Sequence, residues 1–226
     1  MSRSMAADDF LSRVEPLLPI DFFNLSADAV YSKSIPVSKI SKSFYLPDTS
    51  DLLSEEKFAD AAMAWNREGV LIRVNVNVPF EECFFPNYDK GDSVELFFDT
   101  RDLKTAGFAT RFCHHFVFLP QEVQGIKCKE VTHFRSEDSH LLCNPDELEC
   151  TTHFERSGYQ MRISIPSHCL HGYDPSSFDR LGFTYQINRS GGAPQHFAIS
   201  SHYYNVEQNP SRWCSLKLIS TTTTAK

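Results

Sequence analysis

The sequence predicts an all-β protein, a two-sheet antiparallel β-sandwich of jelly-roll type, on three observations. Short runs in which apolar and polar residues alternate recur along the chain. Turn-length stretches such as PNYDKGD, HGYDPSS and RSGGAPQ separate them, and no long amphipathic helix lies between them.

Taken in order, residues 1–16 are polar and acidic and are expected to form a flexible segment, with one helical turn in FLSRVEPLL. Residues 17–220 are expected to form a single sandwich domain, and 221–226 (TTTTAK) a disordered tail. The clearest strand is VLIRVNVNV, where Val70, Ile72, Val74, Val76 and Val78 share one face and Arg73, Asn75 and Asn77 the other. GDSVELFFDT sets Val94, Leu96 and Phe98 against Ser93, Glu95 and Asp99, but Phe97 interrupts the polar face, so that face is not simply solvated. RFCHHFVFLP (111–120) is apolar on both faces and reads as a central strand. YQMRISIP opposes Tyr159, Met161, Ile163 and Ile165 to Gln160, Arg162 and Ser164, and 180–188 opposes Leu181, Phe183, Tyr185 and Ile187 to Thr184, Gln186 and Asn188. Weaker strands are expected at 40–46, 58–66, 129–135, 150–156, 195–201 and 212–219. With 226 residues, 41% of them hydrophobic and 19 of them Phe, the chain has enough material for a core of rings between sheets.

A net charge of −7 with scattered Lys and Arg argues against nucleic acid, whose phosphates need a basic stripe. No stretch approaches the roughly 20 apolar residues that span a bilayer, so no membrane partner is expected. The odd count of seven cysteines and the start MSRSMAADDF, without an apolar signal core, predict free thiols and a cytoplasmic setting, export by a route lacking a hydrophobic signal remaining open.

Four groups carry possible chemistry. The polar faces of the alternating strands present amides, carboxylates and guanidinium groups suited to hydroxyls; if the strands are neighbours, these converge on one surface, and otherwise they form a solvated sheet face. Cys113-His114-His115 holds a thiol beside imidazoles, but consecutive strand residues point to opposite faces, so Cys113 can share a side only with His115. His140-x2-Cys143-x6-Cys150-x2-His153 has zinc-type ligands at a spacing unlike ordinary zinc modules, and a plain hairpin loop is the competing reading. Asp92, Glu95, Asp99 and Asp102 raise paired-carboxylate catalysis, against an Asp-Thr-Arg-Asp turn with Arg101 or Arg111 as the Asp99 partner. Trp65 and Trp213 lie on apolar-flanked strands and read as core; Tyr88, Tyr203 and Tyr204 are better placed to stack on a ligand.

The runs EGVLIRVNVNV, GDSVELFFDTRD, RFCHHFVFLP, LGFTYQINRSGGAPQHFAIS and NPSRWCSLKL together resemble bacterial proteins related to the family 9 carbohydrate-binding modules, within the wider DOMON-like group of β-sandwiches. The resemblance spans roughly residues 15–220 and is most specific in GDSVELFFDTRD. It implies a sandwich whose relatives bind sugars, haem or other ligands, or serve as interaction domains. The expectation is therefore a non-catalytic binding module for a saccharide or another polar small molecule, with no cofactor and no metal. Arg73, Asn75, Glu95, Arg162 and Gln186 are its candidate ligand-binding residues. The alternative is a protein-interaction or secreted effector domain with no small-molecule ligand.

Overall fold

The computed structural model describes residues 22–36 and 40–220. The expected N-terminal flexible segment with its helical turn, and the C-terminal tail, lie outside these. The described residues form eleven strands: β1 (Ser26–Tyr31), β2 (Ala59–Asn66), β3 (Gly69–Val76), β4 (Ser93–Asp99), β5 (Cys113–Val123), β6 (Ile126–Glu130), β7 (Glu149–Glu155), β8 (Gly158–Pro166), β9 (Arg180–Asn188), β10 (Gln195–His196) and β11 (Cys214–Ile219). The one α-helix among them is the single turn Ser50–Leu53.

Alternation in sequence becomes pairing in space. β3 and β8 match Val70 with Ile165, Ile72 with Ile163, Val74 with Met161 and Val76 with Tyr159. β4 and β9 match Val94 with Ile187, Leu96 with Tyr185 and Phe98 with Phe183. All of these residues join one core, because burying every second side chain of a strand is what a period of two achieves. Rings fill its centre, with Phe98 4.9 Å from Phe183 and Tyr185 stacked 5.5 Å from Phe197. β5 sits between β4 and β6, a central position as its apolar faces require.

The strand order is β6-β5-β4-β9-β11-β1-β2-β3-β8-β7, with β10 beside β9. Hydrogen bonding therefore runs through one continuous, nearly closed sheet, where the sequence predicts two separate ones. The joint is β1: Ser26–Val30 pair in parallel with β11, and Val30–Tyr31 pair in parallel with β2. A strand that changes partners partway makes a corner, and the two halves fold over it onto the shared core.

Three of the weaker strand expectations shrink. At 40–46 the chain makes a 3-10 turn, Lys42–Phe44, with only an isolated bridge from Tyr45 to Ala62, because the Ser41 hydroxyl caps Ser43 N–H and closes the turn. β6 stops at Glu130, whose buried carboxylate gathers the segment that follows. β10 keeps two residues, since Ala198 takes a positive φ of 69° and ends the extension.

Five of the seven cysteines are free as expected, but Cys143 and Cys169 are joined in a disulfide with a Cα–Cα distance of 5.0 Å. The proposed His140–His153 zinc loop does not assemble. Cys143 is spent on Cys169, Cys150 turns to the Cys128 thiol, and His153 is exposed on β7. The Asp99 segment is a turn, as the Asp-Thr composition suggests: Asp99 accepts from Arg101 N–H at 2.9 Å and Leu103 N–H at 2.6 Å. Neither arginine pairs with its carboxylate. The Arg101 guanidinium lies between the Phe112 and Phe178 rings, and Arg111 binds Asp138.

Candidate functional site

Because Val94, Leu96 and Phe98 point into the core, Glu95 and Phe97 must face outward, and so must His115 of β5 and Gln186 and Asn188 of β9. This outer face is not bare. The segment after β10 crosses it, and Ile199, Val206 and Trp213 pack on Phe97, Cys113 and Ala109 in a second apolar cluster. Phe97, out of place in the alternation, is the anchor for that cover. Trp213 is sealed beneath it and donates its Nε1–H to Val206 O at 2.9 Å. Trp65 is likewise core, bonded to Ala29 O at 2.9 Å.

Where the cover lifts off, a cleft of about 420 Å3 remains, with Glu95, Phe97, His115 and Gln186 as its floor and residues 201–207 as its wall. Glu95 and Gln186 are register partners across β4 and β9. Glu95 Oε2 lies 2.7 Å from His115 Nε2, and Glu95 Oε1 accepts from Asn188 Nδ2 at 2.8 Å. Asn188 in turn receives Gln186 Nε2–H at 2.9 Å. The His115 ring stacks on Phe97 at 4.1 Å and meets the edge of Tyr88 at 6.1 Å. Its Nδ1 is 3.6 Å from Glu207 Oε1. Tyr203 and Tyr204 line the same wall, Tyr204 with the Arg212 guanidinium 4.4 Å over its ring.

Two carboxylates around one buried imidazole set its charge. Burial disfavours the imidazolium, but Glu207 and Glu95 outweigh it and hold the His115 pKa above its usual 6.5. Burial raises the Glu207 carboxyl, and His115 more than offsets this, leaving it below 4.5. A raised histidine stabilises the fold fully below about pH 6.5 and stops doing so as pH rises through its folded value; a lowered glutamate loses its contribution as pH falls below about 4.5. The cluster therefore stabilises most between about pH 4.5 and 6.5. The melting temperature advantage of the wild type over His115→Gln should be largest near pH 6 and shrink toward pH 9. A difference that does not change across that range would show that His115 carries no such charge.

Beside the cleft, Glu55, His196 and Ser201 fall in the order of a hydrolase relay. Glu55 Oε1 is 2.7 Å from His196 Nδ1, and His196 Nε2 is 2.9 Å from Ser201 Oγ. The Ser201 backbone N–H, at 3.1 Å, takes the same Nε2 lone pair. The same nitrogen is 3.1 Å from Gln186 Oε1, so the group ties the covering segment to the cleft floor.

Of the five sequence-predicted residues, Glu95 and Gln186 are brought together, and Arg73, Asn75 and Arg162 are not with them. The last three lie on β3 and β8, in the other half of the sheet, where Arg73 pairs in register with Arg162. Both halves turn their apolar faces to one core, so their polar faces point away from each other, and the single polar surface becomes two. Arg73 donates to Asn75 Oδ1 at 3.2 Å and to Pro36 O at 2.9 Å, beside a smaller hollow of about 280 Å3. Burial and the neighbouring Arg162 charge lower the Arg73 pKa. Sequence reasoning missed Glu207, in the irregular covering segment, and His196, in the two-residue β10, because neither stretch carries a periodic signal. It named His115 only as a possible partner of Cys113.

The family model for carbohydrate family 9 binding domain-like proteins matches residues 26–221. The chain belongs to that family. Two solved family 9 carbohydrate-binding modules from Caldicellulosiruptor kristjanssonii share the fold of this family 9 domain. The one in complex with cellotriose is 16% identical, with a TM-score of 0.61 over 88% of this chain and 95% of its own. The one in complex with glucose is 14% identical, with a TM-score of 0.63 over 88% of this chain and 97% of its own. No sequence among curated proteins matches this family 9 domain.

Proposed function

We propose that this chain is a non-catalytic saccharide-binding module and that its ligand lies in the cleft over β4, β5 and β9. We read the curled sheet as two antiparallel layers of a jelly-roll-like sandwich, β6-β5-β4-β9-β11 and β2-β3-β8-β7, hinged at β1. The observation that carries the reading is the pairing of Glu95 with Gln186 on an outer face that the 199–213 cover turns into a concave site. Family membership and the two sugar-bound relatives support it. The cleft's size falls within the roughly 300–1,000 Å3 typical of small-molecule sites. Its chemistry suits a sugar: carboxylates accept from hydroxyls, the Gln186 amide both donates and accepts, and Tyr203 and Tyr204 offer apolar ring surface. Charge-assisted bonds to Glu95 would fix orientation.

The test is a thermal-shift panel of monosaccharides and β-linked oligosaccharides, glucose and cellotriose included, repeated on two variants. A sugar at about 100 times its Kd adds about 2.7 kcal/mol to the native state. Glu95→Gln, which keeps the side-chain shape, should weaken binding roughly 10- to 100-fold, the worth of one charged hydrogen bond. Arg162→Ala should bind as wild type does. Equal loss in Arg162→Ala and none in Glu95→Gln would move the ligand to the opposite face. A flat panel on folded protein would leave the interaction-domain reading in its place.

A further inference from the structure

We propose that His114, Glu130 and His140 form a binding site for one divalent transition-metal ion of the zinc class, separate from the saccharide cleft. His114 is the core-facing neighbour of His115 on β5, Glu130 ends β6, and His140 belongs to the loop before β7. His114 Nδ1 and His140 Nε2 lie 2.8 Å and 2.9 Å from the same carboxylate oxygen, Glu130 Oε1, and the three ligand atoms are all within 4.8 Å of one another. The side chains are 0%, 0% and 4% exposed. Two imidazoles and one carboxylate are a zinc-type donor set with room for a fourth ligand.

The groups behind His140 and Glu130 hold them as ligands are usually held, while the outer nitrogen of His114, Nε2, is buried with no hydrogen-bond partner. His140 Nδ1 faces the Arg111 backbone carbonyl at 2.7 Å. Glu130 Oε2 accepts Cys143 N–H at 2.6 Å, and Oε1 accepts the Thr132 hydroxyl at 2.9 Å. The His171 ring stacks on His140 at 5.5 Å, and the Cys143–Cys169 link ties the loop to the turn beside it.

Hydrogen-bond polarity points to a cation. A neutral imidazole has one N–H, and at His140 the Arg111 carbonyl takes it. Nε2 then turns a lone pair toward a carboxylate oxygen that a second imidazole and a hydroxyl also address. A metal ion at that convergence makes every one of these contacts attractive. With bonds near 2.0–2.1 Å, ligand atoms around a tetrahedral ion stand about 3.3 Å apart. From 2.8 and 2.9 Å, both imidazole–carboxylate distances would lengthen by about half an ångström to reach this, His140 moving with its loop and the Glu130 carboxylate turning away from His114. The ion would fasten the ends of β5 and β6 to the 140–148 loop. Of the four residues whose spacing suggested zinc in the sequence, only His140 takes part.

The test uses the full chain, stripped with chelator and titrated with Co2+ and then Zn2+. One equivalent of Co2+ should produce visible d–d absorption, Zn2+ should abolish it, and either ion should raise the melting temperature. His140→Gln and Glu130→Gln should each weaken binding at least 100-fold. Cys150→Ser and His153→Gln should bind as wild type does. Wild-type protein that is folded and binds neither ion would overturn the site, leaving a second proton on His140 in the cation's place. Metal binding that survives in His140→Gln, or that is lost in Cys150→Ser, would overturn it equally. Because the wild-type titration is decisive alone, a variant that fails to fold does not rescue the proposal, and the saccharide panel bears on it in neither direction.

Discussion

Trp213→Ala is expected to destabilise the protein by about 3–5 kcal/mol, the usual cost of deleting a buried ring, and to abolish saccharide binding. The indole is 1% exposed and sits 5.8 Å from the Phe97 ring, in the small cluster that holds the covering segment to the outer face of β4 and β5. That cluster has six buried members, so no neighbouring mass can collapse into the space. The lost Nε1–H bond also leaves the Val206 carbonyl with only the longer bond from Asn209 N–H, at 3.3 Å. Residues 201–207, which form the cleft wall, follow directly from what Val206 and Ile199 are packed against. Trp213→Phe keeps most of the packing and loses the hydrogen bond, at a cost of about 1–2 kcal/mol, and should retain binding. Urea unfolding gives the stability difference, and titration at a temperature where both variants are folded gives the affinity. Full affinity in folded Trp213→Ala would show that the cover plays no part in the site.

The strands that were legible in the sequence were those whose neighbours impose the same period. Val70–Val76, Val94–Phe98, Tyr159–Ile165 and Leu181–Ile187 pair with one another through their buried residues, so each carries its own alternation, broken in Val94–Phe98 only at Phe97. β1 was not legible. It is six residues long, both its pairings are parallel, and it is a corner, so no alternation marks it. Without β1 the sheet order could not be read, and the polar positions of β3 and β8 could not be separated from those of β4 and β9. Glu95 and Gln186 were found because they lie on regular strands; Glu207, His196 and Glu130 act from strand ends and loops, where position depends on tertiary packing. The pair His114-His115 shows both sides. That successive residues face opposite ways follows from strand geometry alone, and it sends one imidazole to the core beside Glu130 and the other to the cleft beside Glu95. Which partners would be waiting there was not in the local sequence.

Gly69→Ala is expected to cost about 3–5 kcal/mol through the backbone alone, lowering the melting temperature by about 6–20 °C for a chain of this size. Gly69 opens β3 after a two-residue turn from Asn66, with φ at +144°, where L side chains are strained. A Cβ there would stand 2.1 Å from Ile165 O and 3.0 Å from the Pro166 carbonyl carbon, both backbone atoms of the adjacent β8. Relief requires the β2–β3 hairpin to move away from β8, which breaks the register that matches Val70 with Ile165 and every core pair after it. Gly107→Ala, with nothing within 4 Å of the added carbon, should stay within about 0.5 kcal/mol of wild type. The damage falls on the half of the sheet that does not carry the cleft. Below its own melting transition, Gly69→Ala should therefore bind saccharide with wild-type affinity, whereas Trp213→Ala should not. If both variants lost binding in proportion to their stability, the cleft would be reporting global unfolding, and its assignment to the β4–β5–β9 face would fail.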